Sequence, residues 1–250
     1  MDTIIFETSG LAKRYGATYA LQDIDMKIAE GDIYGFIGEN GAGKTTLMRI
    51  IAGLVQPSRG EIKLFGRSDH RGLHLARRQI GYLIEGPALY PHLSAKENLI
   101  FYCRAFGIED ESRIEEVLHT VSLAGSGKKK VSHYSLGMRQ RLGIAVSLLN
   151  HPKLLVLDEP LNGLDPAGIV EMREILECLV NDKGVTILIS SHILSELQLI
   201  ATKFGFLHQG RLIQEISAEL LRQGIPLDGL HLSASSLEQY YMELIGGRRV

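Results

Sequence analysis

Short apolar runs rich in β-branched residues recur along the chain at 3–8, 33–37, 61–65, 80–84, 154–157, 185–190 and 203–208, and their length predicts strands. Between several of them the apolar positions fall at helical spacing, predicting helices over 45–52, 140–150, 167–182 and 194–201. The runs at 154–157 and 185–189 are apolar without alternation, as expected of strands covered on both faces, and a predicted helix separates them. Strand, helix and strand in that order predict an α/β core with a parallel sheet.

The stretch from about Pro87 to Asn150 departs from this pattern. It offers helix formers at 95–106, 112–121 and 140–149 and almost no strand signal, which predicts a helical insertion between two halves of the sheet. Gly125 to Lys130, reading GSGKKK, lies inside it and is expected to be a solvated loop, because no strand precedes it to make a phosphate-binding turn. From about Arg222 onward, Pro226, Gly229 and the amphipathic SLEQYYMELIGG give little direction. No internal repeat is present.

Composition narrows the class. At 250 residues with 45% hydrophobic and 22% charged positions, the chain can bury a substantial core. Its 27 basic and 29 acidic residues give a net charge of −2, so no global positive field draws it to nucleic acid or an anionic membrane. Cys103 and Cys178 lack metal-ligand spacing and sit among apolar neighbours, predicting buried free thiols and a reducing compartment. The N-terminal residues carry Asp2 and Glu7 around a short apolar stretch, unlike a signal peptide. The apolar runs are strand-length, whereas a membrane span needs about 20 such residues, so the chain is expected not to cross a bilayer by itself.

Two motifs carry chemistry. Gly38-Glu39-Asn40-Gly41-Ala42-Gly43-Lys44-Thr45-Thr46 matches G-x-x-x-x-G-K-[ST] between a predicted strand and a predicted helix. Small residues there let successive backbone N–H groups curl around phosphate oxygens at a helix N-terminus. Lys44 supplies a cation for the β- and γ-phosphates, and the Thr45 hydroxyl suits Mg2+. Further on, Lys153-Leu154-Leu155-Val156-Leu157-Asp158-Glu159-Pro160 ends a buried strand in two carboxylates, which are costly to desolvate unless they face a ligand or metal. Asp158 is expected to hold Mg2+ and Glu159 to polarise the attacking water.

Tyr134-Ser135-Leu136-Gly137-Met138-Arg139-Gln140-Arg141 resembles the signature sequence of ABC (ATP-binding cassette) ATPases, usually written LSGGQ, and the other family motifs stand in family order from Leu11 to about Ser217. The resemblance implies a P-loop NTPase core with a mostly parallel sheet, an N-terminal antiparallel β subdomain and a helical insertion subdomain. The expected division is a core of 1–86 and 151–221, a helical part of 87–150 carrying the signature, and a tail of 222–250. By the same resemblance Tyr15 stacks on adenine, and Gly38, Asn40, Gly41, Gly43, Lys44, Thr45 and Thr46 bind the nucleotide. Glu85 occupies the Q-loop and joins Thr45 and Asp158 as a metal residue; Glu159, His192 and Lys44 are the catalytic set. Ser135 and Gly137 contact the γ-phosphate held by a second copy in a head-to-tail dimer, with Asp165 of the D-loop crossing the same interface. ATP and Mg2+ are the implied cofactors.

The chain departs from the family pattern at Leu136 and Met138 in the signature, mildly at Leu161-Asn162-Gly163 where the D-loop begins, and at Glu85 where the family has Gln. Glu brings a full negative charge and no donor, which alters the metal and pH response. The Glu85 loop together with YSLGMRQRLGIA resembles the ATPases of bacitracin-resistance and lantibiotic-immunity exporters. That implies the cytoplasmic engine of a membrane exporter, peripheral on the membrane through a separate permease. The rivals are an importer ATPase, an exporter of lipid or small drug, and a non-transport ABC ATPase. The last is disfavoured because Gly86 to Tyr134 is too short for a coiled coil and lacks sustained heptads. A module that binds ATP without turning it over is disfavoured by the presence of Lys44, Asp158, Glu159 and His192 together.

Overall fold

The computed structural model describes residues 3–223 and 237–246. β1 (Ile4–Tyr15) and β2 (Thr18–Ala29) form an antiparallel hairpin; β3 (Ile33–Gly38) leads into α1 (Lys44–Ile51), and β4 (Arg59–Leu64) returns to pair with β1. The chain continues through α2 (His70–Arg77), β5 (Ile80–Leu83), α3 (Ala95–Phe106), α4 (Ser112–Thr120) and α5 (Leu136–Leu148). It then alternates β6 (Leu154–Asp158), α6 (Pro166–Asn181), β7 (Thr186–Ser191), α7 (Leu194–Ile200) and β8 (Lys203–His208), and ends in β9 (Arg211–Ser217), α8 (Ala218–Gln223) and α9 (Leu237–Gly246).

Two sheets result. The small one has the order β2-β1-β4 and is antiparallel; the large one runs β5-β6-β7-β3-β8-β9, parallel throughout except for β9 at its edge. The central strands are buried on both faces with the period of two that a strand imposes. In β3, Ile33 and Ile37 join the core beneath the helices, while Tyr34 and Phe36 face the core shared with α1 and the small sheet. Leu155 and Leu157 of β6 divide from Leu154 and Val156 in the same way. Such strands read as continuous apolar runs, which is why the sequence pattern finds them. The Tyr34 hydroxyl donates to Glu215 Oε1 at 2.6 Å, and burial pushes its pKa well above the usual value, so it remains a donor.

The helices between β5 and β6 begin and end on local signals. Ser94 and Glu97 form a reciprocal capping box on α3, and Gly107 closes it in the left-handed conformation. Ser135 caps α5 by accepting the Met138 N–H at 3.2 Å. α5 lies directly on β5: a Cβ at Gly81 would stand 2.3 Å from the Ser147 carbonyl oxygen, so only glycine lets helix and strand approach this closely. The GSGKKK segment is a short 3-10 turn followed by exposed loop, as expected of a solvated connection.

The structure adds elements that the apolar pattern does not reveal. The first strand runs on to Tyr15 and pairs with β2, whose exposed and buried residues alternate and so leave no apolar run. β9 pairs with β8 across Gln209 and Gly210, both at positive φ, the geometry of a tight hairpin turn usually signalled by Asn-Gly. α2 is largely polar, and its sequence mark is the Asp69 cap on the Gly72 N–H. Of the tail, 224–236 and 247–250 lie outside the described residues, but 237–246 is a helix whose Leu237, Tyr240 and Tyr241 are buried. Both cysteines are free; Cys103 is buried as expected, whereas Cys178 is partly exposed because its helix face borders solvent. Among the described residues no helix is long and apolar enough to cross a membrane.

Candidate functional site

The C-terminal ends of β3, β6 and β7 meet at one edge of the parallel sheet, where ligands bind in open α/β folds. From β3 the chain turns through Gly41 (φ 82) and Gly43 (φ 113) into α1. A Cβ at Gly43 would lie 2.4 Å from the Ala20 carbonyl oxygen of β2, so that glycine is required by the packing of the hairpin as well as by its φ. At Gly41 nothing lies within 4 Å of the added carbon, and the side opened there is the one a phosphate would approach. The resulting cavity, about 190 Å³, is lined by Glu39, Asn40, Gly41, Gly43, Lys44, Thr45 and Thr46 together with Ala20 and Glu159.

Lys44 is 6% exposed, and its ammonium donates to the carbonyls of Gly38 at 2.6 Å and Glu39 at 3.2 Å. Its remaining neighbour is Glu159 Oε1 at 3.6 Å. The Thr45 hydroxyl donates to Asp158 Oδ2 at 2.8 Å, tying the start of α1 to the end of β6. Ser190 closes the frame: its hydroxyl donates to Asp158 Oδ1 at 2.6 Å and accepts the Glu159 N–H at 2.9 Å. Glu159 sits at φ 51, a conformation unusual for a residue with a Cβ and common at functional sites. Its Oε2 receives the His192 N–H at 3.3 Å and lies 2.7 Å from His192 Nδ1.

Lys44 and Thr45 of one motif and Asp158 and Glu159 of the other are thus brought together, and His192, which neither motif contains, joins them through Glu159. Ser190 is the member that sequence reasoning misses. It stands opposite Asp158 in the parallel register of β6 and β7, and the only hint of it is a pair of serines ending an apolar strand just before His192.

The remaining expected site residues lie elsewhere. Tyr15 is half-exposed at the end of β1, with Lys13 Nζ 5.0 Å from its ring centre, and does not line the cavity. Glu85, also at positive φ, is paired with Arg49 in the last turn of α1 rather than with Thr45 or Asp158. Ser135 and Gly137 open α5 and Asp165 caps α6 on the Gly168 N–H at 3.0 Å; none of the three lines the phosphate cavity of its own chain. The signature and the D-loop touch each other, since a Cβ at Gly163 would lie 3.0 Å from Leu136 Cδ2 and one at Gly137 would lie 3.6 Å from Leu164 Cδ2.

The donor set fits a magnesium nucleotide. Curled amides and a buried ammonium suit phosphate oxygens, and a hydroxyl beside a carboxylate suits a hard cation. Among the described residues no cluster of three or more His, Cys, Asp and Glu could hold a metal alone, so an ion here would take further ligands from the nucleotide.

Residues 21–162 match the family described as ABC transporter. The chain belongs to that family. The bacitracin transport ATP-binding protein BcrA of Bacillus licheniformis is 45% identical over 89% of this chain and 72% of its own length. The lantibiotic transport ATP-binding protein SrtF of Streptococcus pyogenes is 47% identical over 84% of this chain and 90% of its own. Among solved structures, the ATP binding subunit of an ABC transporter superimposes with a TM-score of 0.81 at 33% identity, covering 96% of this chain and 99% of that one. A dimeric ATP-binding cassette in a post-hydrolysis state bound to ADP and Pi gives a TM-score of 0.74 at 27% identity, covering 86% and 99%. This ABC ATPase therefore binds ATP and hydrolyses it in the service of transport, with the expected P-loop core, antiparallel strands and helical part.

Proposed function

We propose that the chain powers a bacterial exporter that confers immunity or resistance to a lantibiotic or related peptide antibiotic, working from the cytoplasmic face of the membrane on a separate permease. The observation that carries the motor reading is Glu159, held by His192 and facing Lys44 in front of the glycine loop. The cargo reading rests on the likeness to bacitracin and lantibiotic transport ATP-binding proteins and on the Glu85 and SLGMRQRLGIA features.

Lys44 would turn from the carbonyls of Gly38 and Glu39 to the β- and γ-phosphates, while the amides of 41–46 hold the phosphate chain. Thr45 and Asp158, with Glu85 as a further candidate, would hold Mg2+, whose charge offsets that developing on the phosphoryl oxygens. Glu159 orients the water that attacks the γ-phosphorus and accepts its proton as the bond to the bridging oxygen breaks, releasing ADP and phosphate. His192 keeps Glu159 in place through Nδ1, and contact of its Nε2 with the γ-phosphate as a donor requires the doubly protonated ring. Asn40 and Thr46 complete the cradle, and Tyr15, exposed outside the cavity, would supply the adenine face.

Because Ser135, Gly137 and Asp165 lie away from their own phosphate cavity, we propose that a second copy supplies them, so that ATP joins two chains and hydrolysis parts them. The division into 1–86 with 151–221, 87–150 and 222–250 is proposed on the same family basis. For the permease we propose the apolar groove of about 480 Å³ between β5 and the helices, lined by Leu54, Tyr82, Ile84, Pro87, Tyr102 and Phe106. Leu54 at its rim is 72% exposed, an apolar surface that an inserted segment would cover.

Deleting the gene for this chain in its own host is expected to lower the inhibitory concentration of bacitracin or a lantibiotic severalfold. Wild-type chain restores it and Glu159→Gln does not. Unchanged peptide sensitivity with intact ATPase activity would contradict the cargo while leaving the motor standing.

A further inference from the structure

α9 is joined to the nucleotide loop. Leu237 and Tyr240 are fully buried and Tyr241 is 7% exposed, so the inner face of this helix is core rather than a loose tail. Both tyrosines pack on Phe206 of β8, Tyr240 edge-on at 5.3 Å and Tyr241 stacked at 6.0 Å with the rings 19° apart. Phe206 stands opposite Ile37 in the register between β8 and the strand that ends in the glycine loop. At the start of α9 the Leu237 N–H donates to Gln198 Oε1 at 3.1 Å, which fastens it to α7, the helix that follows His192.

The decisive contact is at the other end. The Glu39 N–H, in the second position of the glycine loop, donates to the Tyr241 hydroxyl at 3.2 Å. The Glu39 carbonyl accepts from Lys44 Nζ at 3.2 Å and from the Ala42 N–H at 3.1 Å. Both backbone polar groups of this residue are therefore committed, one to the loop itself and one to α9. When Lys44 leaves the Glu39 carbonyl for a phosphate, the Ala42 N–H stays on that carbonyl within the loop, and the tyrosine is the tie from Glu39 to α9.

We infer that α9 is part of the nucleotide site and that Tyr241 is a positioning residue, fixing the entry to the glycine loop so that its amides are already arranged for phosphate. The side chain reaches none of the reacting atoms. Its loss therefore weakens ATP binding and spares the chemical step, and by reciprocity bound ATP steadies α9. The inference rests on the glycine loop being the phosphate site.

The test uses the full chain and the Tyr241→Phe variant, which keeps the ring and its stacking and removes only the hydroxyl. Calorimetric titration with MgATP is expected to show Kd raised about three- to tenfold, the worth of one ordinary hydrogen bond. KM is expected to rise in parallel with kcat essentially unchanged, and Tm to fall by no more than the roughly 2–4 °C that one hydrogen bond is worth to folding. In the wild-type chain, amide hydrogen exchange over 237–246 is expected to slow when MgATP is added. An unchanged Kd in Tyr241→Phe, a fall in Tm without a change in Kd, or exchange over α9 indifferent to ATP would overturn the inference. A wild-type chain that does not bind ATP at all would overturn it together with the reading of the loop.

Discussion

Asp158 and Glu159 are neighbours in sequence but are given different tasks by one hydroxyl. Ser190 donates to the Asp158 carboxylate and accepts the backbone N–H of Glu159, so the same oxygen sets the orientation of the proposed metal residue and the placing of the proposed water-side residue. Ser190→Ala is expected to lower kcat by roughly ten- to a hundredfold, the cost of a small misplacement of Glu159. ATP affinity, which depends on Lys44 and the loop amides, is expected to stay within about threefold. Single-turnover hydrolysis beside a binding titration separates the two; equal losses in both would contradict this assignment. The glycine loop and the carboxylate pair were legible from the sequence because their chemistry demands fixed residue types at fixed spacing. Ser190 was not legible, since a serine at a strand end has no such rule and its role arises only when the parallel register sets it beside Asp158. The ion pair of Glu85 with Arg49 was hidden for the same reason: two residues distant in sequence meet only once β5 and α1 are in place.

At the scale of elements, legibility followed burial. Strands covered on both faces announced themselves as apolar runs, and α3 as a run of helix formers, whereas β2 and β9 carry one partly exposed face and passed unseen. The apolar pattern says little about α9 because its two tyrosines become core residues only against Phe206 and α7. The helical part has an electrostatic tie of its own. Glu116 of α4 pairs with the largely buried Arg113 and with Lys183 at 2.7 Å, beyond the end of α6. The two cations hold its carboxyl down at about 2, against an ordinary 4.5. A depressed carboxylate stabilises the fold fully above the ordinary value, and the contribution is lost as pH falls towards the folded-state value. Glu116 is half-exposed, so solvent screening limits the effect to about 0.5–1 kcal/mol. Glu116→Gln is expected to be less stable than wild type by that amount at neutral pH, and the gap is expected to close as pH falls from about 4.5 to about 2 in urea titrations. A gap independent of pH would show that packing, not the ion pair, is responsible.

At the scale of the whole molecule, the dimer we propose would make the chain hold half of each of two sites. One edge of the parallel sheet carries the phosphate loop with Asp158, Glu159 and His192; the start of α5 and the cap of α6 carry Ser135, Gly137 and Asp165 away from it. Leu136 lies close to Gly163 and Leu164 close to Gly137, so the signature and the D-loop are neighbours on this side of the molecule. The family likeness was legible because the motifs keep their order along the chain, while the physical ground for proposing a second copy is that Ser135 and Gly137 do not line the cavity of their own chain. The most direct measurement is sedimentation of the Glu159→Gln chain with and without MgATP, read beside its steady-state hydrolysis. The account predicts the mass of two chains in ATP and of one without it, with kcat lowered by roughly 10²- to 10⁴-fold. A single chain at saturating ATP, or undiminished hydrolysis, would contradict it.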